Sequence, residues 1–254
     1  MTGSRLQVLE GLVIRSREYG EADRIIIVFT KERGRVSGIA KGVRKGKSSL
    51  SGATQLFSYS RLAFAFGRGS LATVTQGETI NSHRGLRESL GRIAYASYIS
   101  ELLDYSLPEN KPQESLFILG ASVFAVLEVI PEEDMELLAR FFELRLLAIL
   151  GYKPQLDFCS VCGRGVMGGS FVLSPYRGGI VCTGCSGSAP DELLSPGAIL
   201  SMKKLLEIDL RQLFNFKPGS EIKREMEQAT EGYLRYYLEK SSKAKMTLRE
   251  YINI

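Results

Sequence analysis

One histidine and four cysteines in 254 residues leave this chain few side chains for catalytic or metal chemistry. The single histidine, His83, stands beside Arg84 and reads as a surface or capping residue rather than a general base. No apolar run is long enough for a bilayer: the richest stretch, LLARFFELRLLAIL, is interrupted by Arg140, Glu143 and Arg145. The chain does not open on a positively charged and then apolar signal stretch, so a reducing cytoplasm is the expected compartment. Internal repeats and low-complexity segments are also missing. Hydrophobic content of 44% and charged content of 24% are those of an ordinary soluble globular protein, long enough for two or three cores.

The four cysteines form two Cys-x-x-Cys pairs, Cys159/Cys162 in DFCSVCGRG and Cys182/Cys185 in GIVCTGCSG, separated by nineteen residues. That spacing suits a four-thiolate zinc site, each pair gripping one edge of a tetrahedral ion across a short hairpin. Gly163 and Gly184 are expected to supply the tight turns. Two disulfides are the alternative, and a reducing compartment argues against them. A thioredoxin-like redox pair would need one such motif beside a βαβ unit, and no such unit is apparent. With four thiolates on one ion, no position remains for a reactive water, so a structural Zn2+ is expected. Gly46-Lys47-Ser48 ends like a phosphate-binding loop, but Lys41 occupies the position where that loop needs glycine. Gly67-x-Gly69-x-x-Ala72 precedes a strand and is better explained as a turn. Glu132, Glu133 and Asp134 suit the first turn of a helix. No enzyme and no small-molecule substrate are expected.

Charge is segregated along the chain. Residues 1–92 hold 16 Lys/Arg against 7 Asp/Glu, a balance of +9, and the remainder holds 17 against 21, a balance of −4. The basic half reads as a polyanion-binding surface. Its densest segment, KERGRVSGIAKGVRKGK, carries Lys31, Arg33, Arg35, Lys41, Arg44, Lys45 and Lys47 against Glu32. On a hairpin these seven cations are expected to form a protruding comb, with Gly38, Gly42 and Gly46 keeping the backbone pliable for phosphates. Phe57, Tyr59, Phe64 and Phe66 could stack bases, but alternating aromatics more often fill a barrel core.

Five segments within residues 5–80 are rich in branched and aromatic residues: LQVLEGLVI, RIIIVFT, RVSGIAKGV, QLFSYSRLAFAF and SLATVTQGETI. Such spacing predicts a small barrel or partly open sheet of the OB type. The period then changes to that of helices. Leu86, Leu90, Ala94, Tyr98 and Leu102 mark the first, Leu116 to Ile130 the second, and Leu138, Phe142, Leu146 and Ile149 a central third ended by Gly151. Ser195-Pro196 begins a fourth helix, and Ser220 a fifth with Ile222, Met226, Ala229 and Tyr233 inward. The expected fold is α+β: an OB-fold barrel over 1–81, a helical domain over 82–154 and 189–254, and a zinc-binding module inserted at 155–188.

The run YGEADRIIIVFTKERGRVSGIAKGVRKGKSSLSG, the segment LLAILGYKPQLDFCSVCG and the second Cys pair together resemble the RecO-type bacterial mediators of DNA repair and recombination. The most specific elements are Gly20-Glu-Ala-Asp23-Arg24, Phe29-Thr30, Ala40-Lys41-Gly42 and Gly151-Tyr152-x-Pro154. The resemblance implies an N-terminal OB-fold, a helical domain and a zinc module. It further implies binding of single- and double-stranded DNA, annealing of complementary strands, and action with RecR and single-strand-binding protein to load RecA. Carried over by position, Lys31, Arg33, Arg35, Lys41, Arg44 and Lys45 fall on DNA-facing strands, and Cys159, Cys162, Cys182 and Cys185 on the zinc ligands. The expected location is cytoplasmic, at the nucleoid. A zinc-ribbon regulator reading one duplex sequence is the alternative.

Overall fold

A computed structural model describes residues 5–45, 48–107, 111–187 and 193–238, and these divide between two compact units. The first unit, through Val129, starts with five strands: β1 (Arg5–Tyr19), β2 (Asp23–Thr30), β3 (Gly34–Ala40), β4 (Tyr59–Phe66) and β5 (Ala72–Asn81). They close as a barrel in the order β1-β2-β3-β5-β4. All neighbours are antiparallel except β3 and β5, which pair in parallel over Gly38–Ala40 and Ala72–Val74. Branched residues drive this choice of structure: alternate positions of β2 and β3 point Ile26, Val28, Val36 and Ala40 inward against Leu9, Leu62, Phe64 and Val74.

β1 is long enough to serve two partners, pairing with β4 over Arg5–Leu12 and with β2 over Gly11–Tyr19. A bulge between Val13 and Arg15 interrupts its register. Strict alternation would aim Arg15 into the barrel after Val13; the extra residue turns it out to solvent. The short helix α1 (Leu50–Ala53) plugs the barrel with Leu50 and Ala53. Gly34 has φ 68°, and a Cβ there would stand 2.1 Å from the Lys111 carbonyl oxygen, so only glycine fits this turn.

Two helices complete the unit, α2 (Leu90–Ser106) and α3 (Glu114–Leu127). Ser89 caps α2 by accepting the Arg92 amide, and Leu90, expected inward, is exposed at the first turn. Rings of α3 meet rings of the barrel edge-on: Phe117 against Phe29 at 5.5 Å, and Phe124 against Phe57 at 5.7 Å.

The second unit, from Ile130, is built on α4 (Met135–Ile149), α5 (Pro196–Glu207) and α6 (Ser220–Leu238). α4 is buried on nearly every face. Its buried Arg140 donates to Glu143 at 2.8 Å, and the other Glu143 oxygen accepts the Thr230 hydroxyl of α6 at 2.8 Å. Ser195 caps α5 through the Ala198 amide, with Pro196 in the first turn. Between α4 and α5 lies the cysteine segment, with a two-stranded hairpin of β6 (Phe171–Ser174) and β7 (Gly179–Cys182). No helix among the described residues is long and apolar enough to cross a membrane.

Candidate nucleic-acid interface and candidate metal centre

The expected comb of seven cations is divided by the partners that the fold brings to it. Arg33 donates to the Gln7 side chain at 2.8 Å and lies over the Phe66 ring at 4.5 Å. Arg35 donates to Asp104 of α2 at 2.7 Å, and the second oxygen of the same carboxylate takes Arg15, also at 2.7 Å. Arg33 and Arg35 are therefore half-buried and anchored, which corrects the picture of a uniformly protruding segment. Arg44 reaches Glu18 at 3.1 Å and the Glu21 carbonyl at 3.3 Å. Lys31 stays half exposed, 3.6 Å from Glu114. Lys41 and Lys45 are exposed and form no ion pair among the described residues. Lys47, like Gly46, lies outside the described residues.

The glycines play other parts than expected. Gly38 faces the barrel interior, where a Cβ would come within 2.9 Å of the Phe64 ring. Gly42 has φ 67°, and its amide already donates to Asp23 at 2.8 Å, so it is not open to a phosphate.

Sequence reasoning missed Arg15 and Arg17. Both stand on the extension of β1 beyond the bulge, opposite Ile27 and Ile25. Together with Arg35, Ile25, Ile27, Leu71 and Glu101 they line a groove of about 810 Å³ on the first unit. A signal was present in the polar alternation of Arg15-Ser16-Arg17, but it follows Ile14, where the apolar pattern that marked the strand stops. Arg15 and Arg35 share Asp104, so Arg17 is the groove's guanidinium without an ion pair among the described residues. A lining that mixes apolar groups and guanidinium can hold a polyanion that also presents flat apolar groups. The four aromatics considered for stacking are otherwise engaged. Phe57 and Phe64 are core, Tyr59 donates to Glu10 at 3.0 Å, and Phe66 supports Arg33.

His83, expected as a surface or capping residue, is 2% exposed and stands at the N-cap of a 3-10 turn over Arg84–Arg87, without a side-chain cap bond. It adopts φ 42° and places Nδ1 3.0 Å from Glu128, whose other oxygen accepts the Gly85 amide at 2.9 Å. Burial pushes the Glu128 carboxyl up, but the His83 ring and the Gly85 amide outweigh it and hold the group below its ordinary value. His83 thus fastens the turn before α2 to the end of α3.

The cysteine segment gathers what the spacing predicted. All four sulfurs lie within 4.8 Å of one another. Cys162 and Cys182, from different pairs, approach to 3.7 Å. A tetrahedron with zinc–sulfur bonds of about 2.3 Å has edges of about 3.8 Å, so this donor set fits one zinc ion. Burial raises the Cys159 thiol, but amide donors led by Cys182 pull it down to about 6, the direction a metal ligand needs. Cys185 is pushed up to about 12 by hydrogen bonds to Cys182 and Cys162. One negative charge among four crowded sulfurs disfavours the next, and a divalent cation would relieve that repulsion. Gly163 makes the expected left-handed turn at φ 75°, whereas Gly184 does not and Gly187 does, at φ 80°.

The family described as "Recombination protein O N terminal" matches residues 5–83, and "Recombination protein O C terminal" matches residues 87–246. A DNA repair protein RecO of Symbiobacterium thermophilum is 38% identical over 240 residues, 93% of this chain and 94% of that protein. The RecO protein of Pelotomaculum thermopropionicum is 37% identical over 94% of the chain and 92% of its own length. That of Listeria monocytogenes is 33% identical over 96% and 94%.

Proposed function

The chain belongs to the recombination protein O family, and from that membership we propose that it is a DNA repair and recombination mediator working by strand binding and annealing. The observation that carries this reading is the grouping of cations on one barrel. Lys41 and Lys45 lie exposed beyond β3, Lys31 and Arg44 are partly engaged, and Arg15, Arg17 and Arg35 line the groove. We read that barrel as an OB-fold.

Two complementary strands repel through their phosphates. A surface that neutralises several of them lowers the barrier to bringing strands together and displaces condensed counterions. Such contacts are indifferent to sequence, so single and double strands are both ligands. The reaction proposed is physical rather than chemical: no bond in the DNA is made or broken, and no side chain is assigned a catalytic part. Cys159, Cys162, Cys182 and Cys185 hold one structural Zn2+, whose service is to cross-link the segment around β6 and β7. The partners in this reading are RecR and single-strand-binding protein, with RecA loaded as the outcome, at the nucleoid.

Annealing of complementary strands precoated with single-strand-binding protein, with and without the chain, tests the proposal. Acceleration is expected, together with binding that falls steeply from low to physiological salt. Strong preference for one duplex site, or no effect on annealing, would overturn it.

A further inference from the structure

Tyr152, Tyr233, Tyr236 and Tyr237 of the second unit form one continuous ring cluster, tied through Tyr237 to the turn of the zinc-module hairpin. Tyr152 stacks on Tyr237 with ring centroids 4.1 Å apart and planes 20° from parallel. Tyr236 meets Tyr237 edge-on at 5.1 Å. The Tyr237 hydroxyl donates to the Pro175 carbonyl at 2.8 Å, which brings the hairpin turn and its next residue, Tyr176, to the same place. Hydrophobic burial accounts for Tyr233, 1% exposed, and for part of Tyr237. It does not account for Tyr152, Tyr236 and Tyr176, which are 40%, 53% and 77% exposed. Tyr152 and Tyr236 each lie against Tyr237 and stay open to water, and Tyr176 stands exposed on the turn that the Tyr237 hydroxyl holds.

The charges beside them choose the occupant. Lys153 follows Tyr152, and Arg177 follows Tyr176 with its guanidinium 5.4 Å from that ring centre. Both cations are exposed, and neither forms an ion pair among the described residues. Among the described residues of this unit, Asp157 is paired with Lys203 and Glu231 with Arg235. A ligand matched to this patch presents flat rings and negative charges together.

We infer that Tyr152, Tyr176 and Tyr236, with Lys153 and Arg177, form a contact for single-stranded nucleic acid on the zinc-bearing unit, separate from the cations of the barrel. Bases lie against the tyrosines and phosphates against the two cations. Duplex DNA does not use the platform, because its base faces are already covered by their neighbours. The inference extends the proposed function by giving an annealing protein a second place to hold a strand.

The test uses the full chain loaded with zinc and fluorescently labelled oligothymidylate. The triple variant Y152L/Y176L/Y236L is expected to bind oligothymidylate about tenfold or more weakly, since each stacked base contributes roughly 1–3 kcal/mol. The salt dependence should be unchanged, because every cation that faces a phosphate is kept. Y152F/Y176F/Y236F should bind like the parent, and a duplex should bind all three proteins alike. The chain has eleven tyrosines and no tryptophan, so the part of the tyrosine quenching on binding that is lost in the leucine variant reports the platform. Equal affinity of the leucine variant and the parent overturns the inference, as does an equal loss for duplex. If the leucine variant does not fold, photo-crosslinking of the parent to oligonucleotides carrying 5-iodouracil decides. Adducts at Tyr152, Tyr176 or Tyr236 support the platform, and adducts confined to residues 5–81 overturn it. A parent chain that binds neither single nor double strands would overturn the proposed mediator as well, which separates the two failures.

Discussion

Two of the chain's hairpins, each with a left-handed glycine in or beside the turn, differ in length and in what supports them beyond apolar burial. β2 and β3 pair over seven residues, with Gly34 at φ 68° and an inner face of Ile26, Val28 and Val36 in the barrel core. β6 and β7 pair over four, with Gly178 at φ 68° and a largely half-exposed first strand. The first hairpin is secured by apolar burial, so its outer face is free to carry charge. The second also buries Phe171 and the whole of β7, but over a shorter pairing, and it is tied in addition by the cysteine cluster, the bridge from Gln155 to Gly179 and that from Phe171 to Leu194. Both hairpins are held by burial; the longer one leaves outer positions for charge, whereas the shorter one gives two of the four clustered cysteines a fixed place at its end and just beyond it.

Removing the sulfur ligands breaks the comparison most sharply. Cys159→Ala with Cys162→Ala is expected to reduce metal from one equivalent per chain to none, at a local cost on the order of several kcal/mol. Protease should then cut within residues 155–187 while the barrel stays folded. Atomic absorption and limited proteolysis check both parts.

Next in size is Gly34→Ala. A left-handed alanine facing the Lys111 carbonyl should cost about 2 kcal/mol or more, seen as a lower urea midpoint for the first unit. The corresponding change at Gly178, where a Cβ meets nothing within 4 Å, carries only the backbone strain and should cost less.

Charge reversal separates exposed from anchored cations. K41E/K45E with Arg44→Glu should leave stability nearly unchanged and lower the salt slope of duplex binding by roughly 0.9 for each phosphate no longer neutralised. Arg35→Glu instead places a carboxylate against Asp104, which is 8% exposed, and should destabilise the first unit before DNA is added. Thermal melts without DNA, read beside salt titrations, distinguish the two.

The smallest effect concerns acid. The folded-state pKa of Glu128 lies below its ordinary 4.5, so its contribution is fully present above that value and is lost as pH falls through the folded pKa. Glu128→Gln should therefore be less stable than the parent at neutral pH, by about 1 kcal/mol, and the difference should shrink in acid. Denaturation at several pH values from neutral to below about 4 measures it.

How much of this was legible depended on how far apart the deciding residues lie. The four cysteines could be grouped because each pair is local and the spacing between them is short. The strands showed themselves through branched residues, and the cap at Ser195-Pro196 through two adjacent letters. The barrel's share of the basic segment was visible as a cluster of letters. Its division was not, because Asp104 lies 69 residues from Arg35 and nothing local marks it as a partner. The burial of His83 was hidden for the same reason, its acceptor being 45 residues away, although its place at a cap was local. Arg15 and Arg17 were missed because a bulge, not a change in composition, decides which face they occupy.

The barrel's closing seam has a consequence for motion. β3 meets β5 through only three residue pairs, in the one parallel alignment, whereas β2 and β3 share seven. Opening a barrel costs least where the fewest ladder bonds must break. The strand edge at Gly38–Ala40 is therefore the place where solvent enters first, and it leads directly into Lys41. Breathing at that edge would move Lys41 and admit water beside Ala40, Ala72 and Val74, the core residues nearest the seam.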